Sequence, residues 1–146
     1  MEIRIEKAQN LKVKPDESAL GFGRHFTDHM FLMDYDIDKG WYDPRIVPYG
    51  PIALDPSSTV FHYGAEIFEG MKAYRAVDGT LRMFRPEENF KRLANSCRRM
   101  CIPEMDQQFQ MESLVELLKV DQDWIPKSEG TSLYIRPFII ACKNFL

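Results

Sequence analysis

The sequence predicts an α+β domain in which two helices pack on one face of a mixed or antiparallel sheet. Three observations predict this fold. Apolar strand-like runs lie at residues 27–35 and 131–141, near the two ends of the chain. An Asp-Gly pair at residues 78–79 separates two further runs, which is a strong hairpin signal. Two segments of helical periodicity lie between this hairpin and the last strand.

The first part of the chain predicts extended structure without a helix. Residues 1–22 are expected to form an irregular N-terminal arm with one short strand, and residues 23–146 a single small domain. Residues 27–35 contain four consecutive apolar side chains, which is typical of a strand buried on both faces. Residues 41–58 predict extended segments and turns, because prolines exclude a helix there. These prolines are Pro44, Pro48, Pro51 and Pro56.

Two helices are predicted in the middle of the chain. The first opens at Pro86, because proline is favoured in a first helical turn, and Ile102-Pro103 ends it. The second runs from about Met111 to Asp121. Apolar residues at helical spacing predict their buried faces. These residues are Phe90, Leu93, Ala94 and Cys97 in the first helix and Met111, Leu114, Val115 and Leu118 in the second. One strand from Thr131 to Ala141 completes the sheet.

Composition and charge exclude several classes of function. Hydrophobic residues make up 45% of the chain and charged residues 28%, which is an ordinary globular balance. The formal net charge of −3 argues against a nucleic-acid partner. No apolar run approaches the roughly 20 residues of a membrane span. The N-terminus alternates in charge and has no apolar signal region, so we predict a cytoplasmic protein.

The cysteines predict neither disulfides nor a metal site. The chain has three, Cys97, Cys101 and Cys142, which are too few for a secreted disulfide framework. Cys97 and Cys101 share a helix face, but a metal would need two more ligands and no second cluster exists. We therefore expect reduced, buried thiols and no bound metal.

Two segments predict one wall of a small-molecule site. Residues 61–74 place aromatic, acidic and basic side chains between glycines, where the backbone turns and a ligand can approach closely. Residues 132–138 add Tyr134 and Arg136, which are two apart and so share a face of their strand. Arg136 in this apolar run either pairs with an acid on a neighbouring strand or clamps a carboxylate ligand, with the Tyr134 hydroxyl donating a hydrogen bond.

Other charged side chains have two interpretations each. Arg92 lies opposite the apolar face of the first helix, so it is either solvated or meets a phosphate or another domain. Lys72 follows the turn at Gly70 and is either a cross-strand or rim lysine or, if burial lowers its pKa, a nucleophile. His62 is a candidate general base. No serine or cysteine has recognisable triad partners, and no complete nucleotide-binding motif is present.

A set of motifs, taken together, resembles the branched-chain amino acid aminotransferases, which are pyridoxal-phosphate enzymes of fold type IV. The stretches run in family order from about residue 20 onward, and the set is more specific than any one member. They are Gly21–Met30, Gly40-Trp41, Phe61–Gly64, Phe68–Tyr74, Phe84–Asn89, Asp123–Pro126 and Ser132–Pro137. The resemblance covers the small N-terminal domain of that fold type.

The resemblance implies a role for several residues. Arg92 matches the arginine that grips the phosphate of the cofactor, pyridoxal 5′-phosphate. Phe22, Phe68 and Tyr134 match the residues that line the pocket for the branched side chain. Lys72 matches a basic position beside the site, not the lysine that holds the cofactor.

The resemblance also implies partners and substrates. Tyr63 matches a tyrosine that reaches the pocket of the partner subunit, which implies a homodimer. Arg136 matches the arginine that holds the distal carboxylate of glutamate. The implied reaction is reversible amino transfer between leucine, isoleucine or valine and 2-oxoglutarate.

The sequence departs from the family in length. Family members are more than twice as long, and the Schiff-base lysine is expected beyond residue 146, so this chain contains no catalytic residue of its own. We expect the isolated chain to be inactive and to bind no cofactor. Two alternatives stay open: a fragment of a D-amino-acid transaminase or aminodeoxychorismate lyase, or a stand-alone, non-catalytic binding module.

Overall fold

The computed structural model describes residues 1–142 and shows the predicted α+β fold. In chain order the strands and α-helices are β1 (Arg4–Ile5), β2 (His29–Asp36), β3 (Gly40–Pro48), α1 (Thr59–Tyr63), β4 (Glu66–Phe68), β5 (Met71–Arg75), β6 (Leu81–Met83), α2 (Pro86–Met100), α3 (Gln107–Val120), β7 (Leu133–Ile135) and β8 (Phe138–Ile140). Short 3₁₀ turns lie at Glu17–Ala19 and Gln122–Trp124. The last four positions of the expected domain, 143–146, lie outside the described residues.

The strands of the described chain form three small sheets instead of the single sheet that we predicted. Their strand orders are β1-β3-β2, β4-β8 and β6-β5-β7. The β5-β6 hairpin is confirmed, because Arg75 pairs with Leu81 and Gly79 has a φ of 83° in the turn. Strand β2 is only half-buried along most of its length, so the prediction of burial on both faces was wrong.

The predicted long last strand is divided in two, and this division shapes the site. Strand β7 pairs with β5, whereas β8 pairs with β4. Arg136-Pro137 separates β7 from β8, and Glu69-Gly70 separates β4 from β5 on the opposite side, so the two antiparallel pairs are interrupted at the same place. Pro137 has no N–H to donate to a ladder, although its carbonyl still accepts a hydrogen bond from the Glu69 N–H at 2.9 Å. We call these four residues the strand break.

Helix α2 packs its predicted face into the core. Phe90, Leu93, Ala94 and Cys97 are all buried, and Pro86 occupies the first turn as expected. The helix ends at Met100, because Cys101 adopts a left-handed φ of 54°. The core that fixes α2 against the strands on either side of the strand break consists of Ile67, Met71, Phe90, Leu93, Cys97 and Leu114.

Helix α3 begins four residues earlier than predicted. Asp106 caps it, because its Oδ1 accepts a hydrogen bond from the Phe109 N–H at 2.7 Å. Phe109 is buried and Val115 is 41% exposed, so the predicted core face was wrong at Val115. The buried stripe follows Phe109, Ser113 and Leu114, because the helix packs against both α2 and strand β2.

The short helix α1 was not predicted. The aromatic residues of this segment suggested a turn, but Thr59–Tyr63 form about one helical turn, and Gly64 ends it with a φ of 58°.

Cys97 is buried and Cys101 and Cys142 are exposed, so the prediction of buried thiols holds only for Cys97. None of the helices in the described residues is long and apolar enough to cross a membrane.

Candidate functional site

An aromatic and guanidinium cluster forms at the strand break. The rings of Phe22 and Tyr134 meet edge to face with centroids 5.0 Å apart. The Arg136 guanidinium carbon lies 4.4 Å from the centroid of the Phe68 ring and 5.4 Å from that of Tyr134. Four of the six predicted site residues therefore form one cluster, although Phe22 comes from the N-terminal arm and the others from strands β4 and β7 and the strand break.

Arg136 faces the cluster instead of an acidic partner. Its Nη2 and Nε donate to the Tyr134 hydroxyl oxygen at 3.0 and 3.3 Å, so the prediction that the two side chains share a face is confirmed. Within residues 1–142 no acid lies within ion-pair distance of Arg136, which removes the salt-bridge interpretation for this part of the chain. The guanidinium is thus a cation on an aromatic surface with donors left for an anion.

Gly70 lets Tyr134 lie directly on the backbone of the strand break. A Cβ added at Gly70 would overlap the Tyr134 hydroxyl oxygen and come within 3.0 Å of the adjacent ring carbon. The sequence pattern suggested that glycine admits a ligand here. In the structure the group that approaches is the tyrosine of the opposite strand, which glycine allows to reach Arg136.

Arg92 forms a bidentate ion pair with a buried acid that the sequence analysis did not single out. Its Nε and Nη2 each lie 2.6 Å from an oxygen of Glu69. The Glu69 side chain is 4% exposed, and Asn89 Nδ2 donates to it at 3.0 Å. In the sequence, Glu69 is marked by its position beside Gly70. Its partner Arg92 lies 23 residues further along the chain, and no local pattern links the two.

The charges of this pair are held in place by hydrogen bonds. Burial alone would raise the pKa of Glu69, but donors from Arg92 and Asn89 outweigh burial and hold that pKa below its ordinary value. The carboxylate in turn raises the pKa of Arg92. Glu69 is therefore a carboxylate throughout the neutral range, and it fixes one edge of the arginine.

Arg92 and the aromatic cluster approach the strand break from different sides. Ile67 and Glu69 are buried toward helix α2, whereas Phe68 is 57% exposed and contacts Arg136. This alternation is the ordinary pattern of a strand. Arg92 thus adjoins the cluster through the backbone of residues 68–70 and makes no aromatic contact with it in the described structure.

The remaining candidates lie outside the cluster. Tyr63 ends helix α1 and is 68% exposed, and it makes no aromatic contact with the cluster in the part of the chain that the structure describes. Lys72 is exposed and lies opposite Tyr134 on the paired strand, so it lacks the burial that a nucleophile would need. His62 is exposed, and its Nε2 lies 2.8 Å from the carbonyl oxygen of Pro56.

Solved structures with a similar fold are aminotransferases. The branched-chain amino acid aminotransferase of Escherichia coli matches with a TM-score of 0.55 and 26% identity, over 66% of this chain and 30% of that one. The T.th. enzyme of the same name, complexed with N-(5′-phosphopyridoxyl)-L-glutamate, matches with a TM-score of 0.54 and 28% identity, over 67% and 31% of the two chains. The fold is therefore shared with part of this class of enzyme.

Curated relatives with higher sequence identity are also branched-chain aminotransferases. Branched-chain-amino-acid aminotransferase 2 and branched-chain-amino-acid transaminase 1 of Bacillus subtilis (strain 168) are each 56% identical over 144 residues, which is 99% of this chain and 40% of theirs. The aminotransferase of Mycolicibacterium smegmatis is 54% identical over 122 residues, 83% of this chain and 33% of that relative. No family model matches the chain.

These comparisons confirm the resemblance that the motifs predicted. The chain is similar to branched-chain aminotransferases over nearly its whole length, and it spans about two fifths of the length of the two Bacillus subtilis relatives.

Proposed function

We propose that this chain forms the small N-terminal domain of a branched-chain aminotransferase, with the domain at residues 23–146 and the N-terminal arm at 1–22. The reaction is reversible amino transfer between leucine, isoleucine or valine and 2-oxoglutarate. The observation that carries the proposal is the 56% identity, over 99% of the chain, to two curated relatives named as branched-chain-amino-acid aminotransferase and transaminase. The contacts at the strand break support it, because they supply the recognition that this reaction needs.

The aromatic cluster recognises two kinds of substrate. Phe22, Phe68 and Tyr134 offer apolar surface, on which a leucine-like side chain gains about 25 cal/mol for each Å² removed from water. Arg136 lies on the same surface and can pair with the distal carboxylate of glutamate or 2-oxoglutarate. One wall can thus bind an apolar chain by burial and an acidic chain by charge.

The chemistry of Arg92 fits the phosphate of pyridoxal 5′-phosphate. Its side chain is 66% exposed, and Glu69 occupies only the Nε and Nη2 edge, so the Nη1 side keeps donors for a phosphate oxygen. The similar T.th. enzyme was solved with a phosphopyridoxyl group, which supports this cofactor for the protein. When bound, the cofactor supplies the electron sink for the reaction, and the protein supplies binding and orientation.

The exposed tyrosine of helix α1 supports a dimer. Tyr63 is 68% exposed at the end of α1, so its side chain is available for contact with a second copy. We therefore propose a homodimer in which each subunit contributes Tyr63 to the site of its partner. A cytoplasmic location is part of the same proposal.

Replacing Arg136 tests the substrate assignment. In the full-length protein that contains this chain, Arg136→Ala should raise KM for 2-oxoglutarate at least about tenfold, because the charge partner of the distal carboxylate is lost. KM for 4-methyl-2-oxopentanoate, the keto acid of leucine, should change less than about threefold. The measurement is steady-state kinetics with each keto acid.

A matched arginine variant serves as the control. Arg99→Ala removes an exposed arginine of helix α2 and should leave both KM values unchanged. Equal losses for both keto acids in Arg136→Ala, or no loss for either, would contradict the assigned role of Arg136. No amino transfer from leucine by the unmodified full-length protein would overturn the proposed function itself.

A further inference from the structure

Glu69 holds Arg92 by one defined edge of its guanidinium. The two hydrogen bonds join Arg92 Nε to Glu69 Oε1 and Arg92 Nη2 to Glu69 Oε2, both at 2.6 Å. This is the fork arrangement in which a planar guanidinium matches both oxygens of a carboxylate. It fixes the direction as well as the position of the guanidinium, which a single contact would not do.

Glu69 is itself held rigidly. Its side chain is 4% exposed, and Oε2 also accepts hydrogen bonds from Asn89 Nδ2 at 3.0 Å and from the Gly70 N–H at 3.3 Å. Asn89 donates as well to the Gly70 carbonyl oxygen at 3.1 Å, so it ties helix α2 to the strand break. A buried carboxylate with this many donors stays ionised and keeps one rotamer.

The edge of Arg92 that Glu69 leaves unused is exposed. A guanidinium has five N–H donors, and Glu69 takes two of them. The two hydrogens on Nη1 and one on Nη2 remain, and the Arg92 side chain is 66% exposed. An anion that approaches from solvent therefore meets a donor pair whose orientation is set before it arrives.

We propose that Glu69 is a positioning residue that orients Arg92, through this ion pair, for the phosphate of the cofactor. The inference rests on the proposed function, because it takes the phosphate as the anion that Arg92 meets. Without Glu69 the long Arg92 side chain would be free to adopt many rotamers in solvent, and binding would have to order it.

The negative charge of Glu69 works against this role to some degree. A carboxylate beside the guanidinium lowers the net charge of the site and so weakens its attraction for a dianion. The two effects have opposite signs, so the Glu69→Gln variant separates them. If the orientation of Arg92 matters more, Glu69→Gln should bind phosphate more weakly. If the net charge of the site matters more, it should bind phosphate more tightly.

The test uses the full-length protein, stripped of cofactor and titrated with pyridoxal 5′-phosphate and, separately, with pyridoxal, which lacks the phosphate. Cofactor absorbance gives the dissociation constants. Glu69→Gln should weaken pyridoxal 5′-phosphate binding about tenfold and leave pyridoxal binding within about twofold. The phosphorus NMR signal of the bound phosphate should broaden, because its arginine partner is no longer fixed.

A double-mutant cycle distinguishes positioning from a general structural role. Glu69→Gln added to Arg92→Lys should cost less than about twofold further in pyridoxal 5′-phosphate affinity, because lysine cannot form the fork. A structural role would instead weaken pyridoxal equally and would give additive losses. Glu66→Gln, at an exposed glutamate on strand β4, is the matched control and should bind as the unmodified protein does.

The outcomes separate the inference from the proposed function. If Arg92→Lys weakens phosphate-dependent binding and Glu69→Gln does not, or tightens it, the positioning role is overturned and the proposed function stands. If neither substitution alters the preference for pyridoxal 5′-phosphate over pyridoxal, Arg92 does not meet the phosphate. The positioning role of Glu69 and the phosphate role of Arg92 are then both overturned, whereas amino transfer from leucine still tests the proposed function. Thermal unfolding of each variant identifies losses that come from misfolding, and Asn89→Asp then provides a second perturbation of the Glu69 position.

Discussion

Gly70 is a position where a single added methyl group would collide with a residue of the candidate site. Its φ is not in the left-handed region, so the backbone itself would accept another residue. The constraint is space, because Tyr134 occupies the position of a Cβ. Glycine is therefore required here by the packing of a side chain from another strand.

Gly70→Ala should displace Tyr134 and break its hydrogen bonds to Arg136. Overpacking of this kind costs about 1–3 kcal/mol, and part of that cost should be seen as lost substrate binding. We expect kcat/KM for leucine in the full-length protein to fall about tenfold, measured by steady-state kinetics. Gly50→Ala is the control, because nothing lies within 4 Å of a Cβ there and the activity should be unchanged. Full activity in Gly70→Ala would contradict this account of the pocket.

At the scale of elements, the positions of α2 and α3 relative to the sheets set the site. Helix α2 carries both Asn89 and Arg92, and its buried face contacts Ile67 and Met71 on either side of the strand break. Helix α3 supplies Leu114 to the same core and begins at the Asp106 cap. The cap therefore helps to fix where α3 begins and so where it packs against α2.

Asp106→Ala should loosen the first turn of α3. The substitution leaves the Phe109 N–H without its acceptor, and losing such a cap costs about 1 kcal/mol. We expect hydrogen exchange of the Phe109 amide to speed up roughly fivefold, measured by mass spectrometry or NMR. Asp123→Ala, at an exposed residue of the following 3₁₀ turn, should leave that amide unchanged. An unaltered exchange rate in Asp106→Ala would show that the cap does not limit opening.

At the scale of the whole molecule, the N-terminal arm is attached to the segment after α3 by two buried acids. Asp28 accepts from the Lys12 N–H at 2.9 Å and from Trp124 Nε1 at 2.7 Å. His29 accepts at Nε2 from the Ala8 N–H at 2.8 Å, and its Nδ1 lies 2.7 Å from Asp121 Oδ1. Phe22 lies between Lys12 and Asp28 in the chain, so these contacts limit the motion of the segment that carries it.

Asp28→Asn should loosen the arm in a pH-dependent way. Burial acts to raise the pKa of Asp28, but the donors Lys12 and Trp124 hold it below the ordinary 3.8. A depressed folded pKa gives stability that is present above the unfolded value and is lost as the pH falls through the folded value. The difference in free energy of unfolding from the unmodified protein should therefore be complete at about pH 7 and shrink below about pH 3.8, followed by circular dichroism.

Limited proteolysis provides a second measurement of the arm. At about pH 7 the arm of Asp28→Asn should be cleaved faster than that of the unmodified protein, because its contact at Lys12 is weakened, as is the link from Asp28 to Trp124. Asp38→Asn, in the exposed turn after β2, is the control and should be cleaved at the unmodified rate. A difference in unfolding free energy that is constant with pH would contradict the assignment to the Asp28 carboxylate.

The sequence predicted the parts of the fold that depend on local rules. Pro86 and the buried face of α2, the Asp-Gly hairpin and the shared face of Tyr134 and Arg136 each follow from propensity or periodicity within a few residues. Its errors had two sources. The start of α3 is set by a local signal that was missed, the Asp106 cap three residues before Phe109. The exposure of Val115 depends instead on which distant neighbours the helix meets.

The sequence by itself determined the α+β class, the resemblance to branched-chain aminotransferases and the residue types of the candidate pocket, because motifs and periodicity are properties of neighbouring residues. Only the tertiary structure decided that the two halves of the last strand pair with different strands, that Tyr134 lies on Gly70 and that Glu69 holds Arg92. The physical reason is that each of these contacts joins residues that are far apart along the chain. Burial and hydrogen-bond geometry select such partners among many with the same chemistry, and no local pattern encodes that choice.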